Sequence, residues 1–260
     1  MAGRKRKREG PALRDDIRRE IERAWPDGVV EMPDFEESWF CCVAAALDRD
    51  LRRAQRGGFS YERSPETVPI WADGADRDED PPLDVEPRRS YHLFFYSPAG
   101  DEFAFESETE EYVEPEDYDE DSAGEPEFSM VTVAGEGRVG WTVAVSLVVP
   151  VAVITLSQMT TFDDGAVGEP SIETYAETED GVRITNQEAD FRQRKGDAAF
   201  AVLAQLRAKF VRILEKRGIT VLPEDEWRKP VPWLRASEDT FIGMSGQPLR
   251  VLDAFFFEGS

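Results

Sequence analysis

The sequence is poor in the residues that most often build metal-binding or reactive centres. Its 260 residues include two cysteines and one histidine, whereas a structural zinc site usually takes four Cys or His ligands. The cysteines, Cys41 and Cys42, are adjacent in the chain, and disulfide geometry rarely joins neighbours. We therefore expect no zinc site, no cofactor and no disulfide framework, and we assign the chain to a reducing cytoplasm.

Sequence signatures of catalysis are also scarce. His92 is the only histidine, and its place in an apolar stretch favours a structural role. Cys41 and Cys42 lie on the apolar face of a predicted helix, which indicates core filling. Residues 135–140 match the pattern GxGxxG, but they follow a predicted strand and open no helix, as phosphate binding requires. We interpret them as a flexible turn and assign no catalytic residue.

Long charge-free runs are rare, and one of 24 residues stands out at 139–162. Its length would suit a membrane span. However, β-branched residues dominate it, apolar residues alternate along it, and Pro150 at its centre would break a helix. We predict two buried strands here and expect no association with a membrane.

What the chain has in excess is negative charge. Its 54 Asp and Glu residues outnumber 31 Lys and Arg residues, which gives a net charge of −23. Such a field repels nucleic acid and anionic membranes and attracts basic proteins. From Asp101 to Glu127 there are 14 acidic residues and no basic one. We predict a disordered acidic loop near 107–127, inside a single domain that spans 11–260.

The one concentration of positive charge lies near the start of the chain. Arg4–Arg8 reads RKRKR and is followed by Glu9, Gly10 and Pro11. Such a run can serve as a nuclear address or bind polyanions. We interpret residues 1–10 as a basic, disordered tail.

Hydrophobic periodicity predicts helices near both ends and strands between them. The class is therefore α+β: a mainly antiparallel central sheet, with N-terminal helices and a long C-terminal amphipathic helix packed on it. The predicted helices are Ala12–Trp25, Phe35–Gln55 and Gln187–Arg217, the last with an apolar stripe of Phe191, Ala198, Val202, Leu206, Phe210 and Ile213, widened by Ala199, Leu203 and Leu214. The predicted hairpins join Tyr91–Tyr96 to Glu102–Glu106 and Ser171–Glu177 to Val182–Thr185.

These features favour a soluble acidic protein that binds a basic protein partner. An acidic body without a catalytic set resembles, in general plan, the bacterial immunity proteins that neutralise toxins, although no single motif carries that resemblance. The candidate partner-binding residues are Trp227, Arg228, Trp233, Arg235, Asp117, Asp119, Glu120 and Asp121. Trp and Arg are typical of interface anchors, but the four C-terminal residues equally suit a segment docked on the body.

Two alternatives stay open. One is a carboxylate-dependent enzyme, with or without Mg²⁺, for which Asp163, Asp164 and Glu169 could supply metal ligands. The other is a structural or scaffold protein. The enzyme predicts several acids gathered in one pocket, whereas the binding protein predicts acids spread over its surface.

Overall fold

A mixed β-sheet with helices on both faces forms the body of this protein. The computed structural model describes residues 13–31, 39–54, 60–63, 90–96, 102–113, 127–163, 167–168, 172–173, 175–178, 181–184, 187–237 and 248–256. Its helices are α1 (Asp15–Ala24), α2 (Ala44–Ala54), α3 (Gln187–Lys195), α4 (Asp197–Lys216), α5 (Glu224–Trp227) and α6 (Val251–Phe255). Its strands are β1 (Val29–Val30), β2 (Ser60–Arg63), β3 (Ser90–Tyr96), β4 (Glu102–Val113), β5 (Glu127–Ser146), β6 (Val151–Phe162), β7 (Val167–Gly168), β8 (Tyr175–Thr178), β9 (Gly181–Ile184), β10 (Thr220–Val221) and β11 (Arg235–Ala236).

The 20-residue strand β5 organises the sheet. One of its edges pairs with β6, and its other edge pairs first with β4 and then with β3, all antiparallel. The hairpin predicted between residues 91–96 and 102–106 is therefore wrong. Tyr96 lies opposite Gly140 and Glu102 opposite Arg138, so β3 and β4 follow one another along β5 in the same direction. The two strands are therefore not paired with each other as the arms of a hairpin.

Parallel pairing at one edge makes the sheet mixed, where the sequence predicted a mainly antiparallel one. Thr220 of β10 lies beside Val151 of β6, and the two strands run parallel. A parallel pair needs a crossover connection, and α3 and α4 provide it between β6 and β10. The isolated pair β1 and β11 is also parallel. By contrast, the predicted hairpin near residue 180 is confirmed as β8 and β9.

One face of the sheet is covered by a short 3-10 helix at Trp39–Cys42 together with α2, α3 and α4. Alternate residues of β5 point to this side. Val139, Trp141 and Val143 are buried in the same cluster as residues of these helices. Trp141 Nε1 donates to the Leu203 carbonyl oxygen at 2.8 Å, which ties the sheet to α4. The helical side of this core consists of Phe40, Leu47, Leu51, Phe191, Phe200, Leu203, Leu206, Phe210 and Leu214.

The opposite face is covered by α1 and the C-terminal segments. Leu13, Ile17, Ile21 and Trp25, spaced four apart, are all buried there, as the sequence predicted for the first helix. Trp25 Nε1 donates to the Ala254 carbonyl oxygen at 2.8 Å, so the first and last described helices meet. The apolar C-terminal segment docks on this face through the buried residues Val251, Leu252, Ala254, Phe255 and Phe256.

The charge-free run forms the centre of the sheet. Residues 139–146 belong to β5, a short link at 147–150 follows, and β6 returns antiparallel. The prediction of two buried strands is confirmed, with Pro150 in the link between them. Within the described part of the chain, no helix is long and apolar enough to cross a membrane.

The long helix differs from its prediction in two respects. Gly196, with φ of 85°, separates α3 from α4, a conformation that glycine adopts without a Cβ penalty. The break shifts the helical phase, so that Ala198 and Val202 are exposed although the sequence placed them in the apolar stripe. About forty residues follow α4, and the last described helix, α6, has five residues. A long C-terminal helix is therefore absent from the described ranges.

The GxGxxG match lies inside β5 and is neither a turn nor a phosphate cradle. A Cβ at Gly135 would collide with the backbone of Thr161, and one at Gly140 with the backbone of Phe95. At Gly137 the obstacle would be the ring of Phe103. These glycines let neighbouring strands and one aromatic ring approach β5 closely.

Candidate functional site

A two-stranded ribbon in the described structure carries seven glutamates, of which Glu106 and Glu136 are exposed. We define the acidic ribbon as β4 paired with residues 127–138 of β5. Since β6 begins to pair with β5 only at Gly135 and β3 only at Gly140, residues 127–134 pair with β4 alone among the described strands. The ribbon's glutamates are Glu102, Glu106, Glu108, Glu110, Glu111, Glu127 and Glu136.

One face of this ribbon is open to solvent near its base. Glu106 pairs with Ala134 and Ala104 with Glu136, so the two glutamates lie diagonally across two alanines. Ala104, Glu106 and Glu136 are exposed. Further out on the same side, Met130 is 60% exposed. Small residues between charged ones leave a flat surface that extended polypeptide can approach.

Two carboxylates on this face, those of Glu106 and Glu136, have no cationic partner among the described side chains. Neither Glu106 nor Glu136 takes part in an ion pair or side-chain hydrogen bond there. The nearest cation along the strand, Arg138, donates from Nη1 to the Tyr96 hydroxyl at 2.7 Å and lies over that ring. The negative charges of Glu106 and Glu136 are therefore available to a partner.

The sequence-predicted acidic residues belong to the same region but lie outside the described residues. Asp117, Asp119, Glu120 and Asp121 fall between the two strands of the ribbon. The predicted acidic loop near 107–127 is corrected in part, because residues 107–113 and Glu127 lie in paired strands. Strand pairing with the less acidic β5 overcomes the repulsion that suggested a loop.

The four C-terminal candidates occupy different environments. Trp227 is 3% exposed and belongs to the core, which suits a docked segment. Arg228 forms ion pairs, described below. Trp233 is 41% exposed, with the Arg18 guanidinium 4.9 Å from its ring centroid. Arg235 is exposed on β11. The structure thus separates the buried Trp227 from Arg228, Trp233 and Arg235, which are exposed.

A buried carboxylate, Glu173, lies at the centre of an ion-pair network that the sequence did not reveal. Its side chain is 1% exposed, with Oε1 3.3 Å from Arg228 Nε and Oε2 2.7 Å from Arg250 Nη1. Arg250 also pairs with Asp253 at 3.0 Å, and Arg228 with Glu224 at 2.9 Å. Each charge is compensated, and the network joins residue 173 to α5 and α6.

The electrostatics at Arg250 confirm that this network is tightly coupled. Burial by itself would lower the pKa of Arg250, but hydrogen bonds and charges from Asp253 and Glu173 outweigh it and raise that pKa above its ordinary value. A guanidinium held in this way stays charged. The network is suited to holding the C-terminal segments in place.

Beside Glu173 a narrow cleft opens at the outer edge of β6. Arg207 Nε and Trp227 Nε1 are buried near it without a hydrogen-bond partner among the described residues. Its volume of about 50 Å³ has room for a few water molecules, since each needs roughly 10–15 Å³. Sites for metabolites are usually several hundred Å³. The cleft is therefore the size of a hydration site.

The remaining sequence candidates for chemistry are dispersed. His92 is 3% exposed within β3, as expected for a structural histidine. Cys42 is an exposed free cysteine, so core filling is wrong for this residue: the chain is in a 3-10 turn there, which rotates Cys42 away from the core. Asp163 is exposed, while Asp164 and Glu169 lie outside the described residues. No three His, Cys, Asp or Glu residues of the described ranges are grouped as a metal site.

Two arrangements could not be predicted from the sequence: the glutamates that share one face of the ribbon, and the ion pairs of Glu173. The alternation of residues 102–106 already placed Glu102, Ala104 and Glu106 on one side of a strand, but only the register with β5 brings Glu136 beside them. Nothing in the sequence marks Glu173, because its partners are 55 and 77 residues away.

Comparisons with known proteins provide no further information about the function of these residues. The chain matches no protein-family model, no curated protein and no solved structure.

Proposed function

We propose that this protein binds a basic protein partner and that the acidic ribbon is the surface that meets it. The observation that supports this is the exposed ribbon face on which Glu106 and Glu136 have no cationic partner among the described residues. In the body, by contrast, the buried Glu173 is paired with Arg228 and Arg250. Unpaired acids on an exposed projection suit recognition of a cationic surface.

The physical basis is long-range attraction followed by local pairing. A net charge of −23 accelerates encounter with a basic partner, and charge complementarity then fixes the orientation. Asp117, Asp119, Glu120 and Asp121, which lie between the strands of the ribbon in sequence, would add to this field. Neutralising a basic toxin, as immunity proteins do, is the form of this function that we favour.

Two variants with the same net charge test the proposal. Glu106→Gln/Glu136→Gln removes two carboxylates from the ribbon, and Asp190→Asn/Glu215→Gln removes two exposed carboxylates from α3 and α4. The wild-type chain is used to capture partners from its native cells, and the purified partner is then titrated with all three proteins at about 50 and about 300 mM NaCl.

We expect a partner with a basic sequence, bound at least about tenfold more weakly by the ribbon variant at low salt. The α3/α4 variant should bind within about twofold of wild type, because both variants have lost the same total charge. An acidic partner, or equal weakening by both variants, would contradict the proposal.

No feature of the described structure favours the alternatives over this function. A carboxylate-dependent enzyme requires acids gathered around a substrate or metal, whereas the buried Glu173 of the described structure is paired with two arginines. A scaffold role would need a docking face other than the ribbon. Binding is thus the function that the unpaired charges of the ribbon support best.

A further inference from the structure

The cleft beside Glu173 contains two hydrogen-bond donors that have no partner among the described residues. Trp227 is 3% exposed, and neither its indole Nε1 nor the buried Nε of Arg207 donates to a described residue. Both side chains line the cleft. A buried N–H group without an acceptor costs free energy, so a ligand that supplies acceptors gains affinity there. We propose that the cleft binds a small carboxylate, whose oxygens accept from Arg207 and Trp227.

The charge of Arg207 favours an anion over a neutral acceptor. Arg207 forms no ion pair with a described residue, although its guanidinium lies over the ring of Trp141, with Cζ 5.8 Å from the ring centroid. The neighbouring cation, Arg228, is already paired with Glu173 and Glu224. Hydrogen bonds between ionised groups are stronger than those to a neutral carbonyl or to water. Arg207 therefore selects the charge of the ligand.

The acids that line the cleft limit how much negative charge the ligand carries. Glu173 and Glu224 are paired with Arg228. Glu188, in the first turn of α3, also lines the cleft and forms no ion pair with a described residue. Its carboxylate opposes any anion, and it opposes a multiply charged one most strongly. The site therefore suits a monoanion better than a phosphate or a dicarboxylate.

The size of the cleft restricts the ligand to about three or four heavy atoms. Its volume is about 50 Å³, and a single water molecule needs roughly 10–15 Å³. Formate has three heavy atoms and acetate has four, so both match this volume. The two coplanar oxygens of a carboxylate also match the edge of a guanidinium, which binds them through parallel hydrogen bonds. Short monocarboxylates are therefore the ligand class.

This site is independent of the proposed function. The cleft is lined by residues of β6, α3, α4 and α5 together with Ile172, Glu173 and Arg228, whereas the acidic ribbon consists of β4 and residues 127–138 of β5. A bound carboxylate would join α4 to α5 through Arg207 and Trp227. Such a ligand stabilises the folded chain by mass action, whether or not a partner occupies the ribbon.

NMR of the full-length chain labelled with ¹⁵N-tryptophan tests the site at the proposed donor. The chain has six tryptophans, and Trp227→Phe identifies the indole signal of Trp227. Sodium formate, acetate or the branched acid pivalate replaces sodium chloride at a constant total salt concentration of about 200 mM, so that ionic strength does not change. The signal of Trp25, whose indole donates to the Ala254 carbonyl oxygen, verifies that each variant is folded.

We expect the Trp227 signal to move in a saturable way with formate and acetate. A dissociation constant on the order of 1–10 mM is typical of so small a ligand. Pivalate should cause no saturable shift, because its branched carbon is too wide for the cleft. The Trp25 signal should stay in place throughout.

Three variants test the role of charge at this site. Arg207→Gln should weaken formate binding at least about tenfold, because the charge-assisted hydrogen bond is lost. Arg212→Gln removes an exposed charge of the same helix outside the cleft, and it should bind within about twofold of wild type. Glu188→Gln should bind formate more tightly than wild type, since an opposing charge has been removed.

Three results would overturn the inference. The first is a Trp227 signal that does not move when formate replaces chloride, which would leave water or chloride as the occupant. The second is a response to pivalate equal to that to formate, or a common shift of all indole signals, which would indicate an adventitious ion only. The third is equal affinity of wild type and Arg207→Gln. None of these results bears on the proposed function, which is measured with a basic partner and variants of the ribbon.

Discussion

The two halves of β5 form one continuous strand but have opposite surroundings. Residues 139–146 are buried on both sides, between β3 and β6 and beneath helices on each face. Residues 127–134 pair with β4 alone among the described strands, and Met130 and Thr132 are exposed. The first half holds the body together, while the second pairs with the glutamate-rich strand β4.

The contrast shows that coverage by packed helices, and not pairing with other strands, decides how much a segment of β5 contributes to stability. Both halves make the same antiparallel ladder, yet only one is covered. Apolar burial stabilises at roughly 25 cal/mol per Å², so the covered half carries the stability. The uncovered half contributes less, since Met130 and Thr132 stay exposed to solvent.

The largest expected difference in stability comes from replacing one apolar side chain in each half of β5 with alanine. Trp141 is fully buried, contacts Phe200 edge to face and donates to Leu203. We expect Trp141→Ala to lower the free energy of unfolding by about 3–5 kcal/mol. Met130→Ala should change it by less than about 0.5 kcal/mol. Urea unfolding measures both, and comparable losses would remove the distinction between the halves.

A smaller effect separates a buried carboxylate of the body from a free one of the ribbon. Glu173→Gln weakens two hydrogen-bonded ion pairs and leaves Arg228 and Arg250 undercompensated, so we expect a loss of about 1.5–3 kcal/mol in the free energy of unfolding. Glu136→Gln should change stability by less than about 0.5 kcal/mol. Partner binding should respond in the reverse order.

That pair of variants also distinguishes a structural from a reactive Glu173. If Glu173→Gln kept full stability, the buried network would not be holding the C-terminal segments. That result would favour a catalytic role as the reason why this carboxylate is buried.

The smallest expected effect is a pH dependence of stability, which arises from one ion pair between α2 and α4. Arg217 donates to Asp50 and to the Ala46 carbonyl oxygen, joining α4 to α2. The hydrogen bond from Arg217 lowers the pKa of Asp50 below its ordinary value. Since the folded pKa is depressed, the contribution of this pair is fully present above about pH 5 and is lost as pH falls below about 4.

A variant cycle measures this contribution. Asp50→Asn should be less stable than wild type at pH 7, with a difference that shrinks towards pH 3. In the Arg217→Gln background the same substitution should have little effect at either pH, because the partner is gone. A difference that grows on acidification would refute the assigned sign.

Local patterns in the sequence were sufficient for several elements. The four-residue spacing from Leu13 to Trp25 predicted α1, and all four residues are buried. Alternation and Pro150 predicted the strands of the charge-free run. Turn chemistry at Asp180-Gly181 predicted the pairing of β8 with β9. In each case the signal comes from residues close together in the chain.

Predictions that needed partners distant in sequence failed. The turn residues 97–101 suggested a hairpin, but β5 is available to pair with both flanking strands in line. Gly135–Gly140 suggested a flexible turn, although it is the close approach of Phe95, Phe103 and Thr161 that requires glycine. Neither cause can be seen from the local sequence.

The sequence by itself determined the charge of the protein, its scarcity of metal ligands and the type of most of its helices and strands, because composition and periodicity depend on residues near one another. Only the tertiary structure decided that β10 joins the sheet in parallel, that Glu173 lies between Arg228 and Arg250, and that Glu106 and Glu136 share one open face. Those outcomes depend on strand register and on contacts between residues far apart in the chain, which local propensity does not encode.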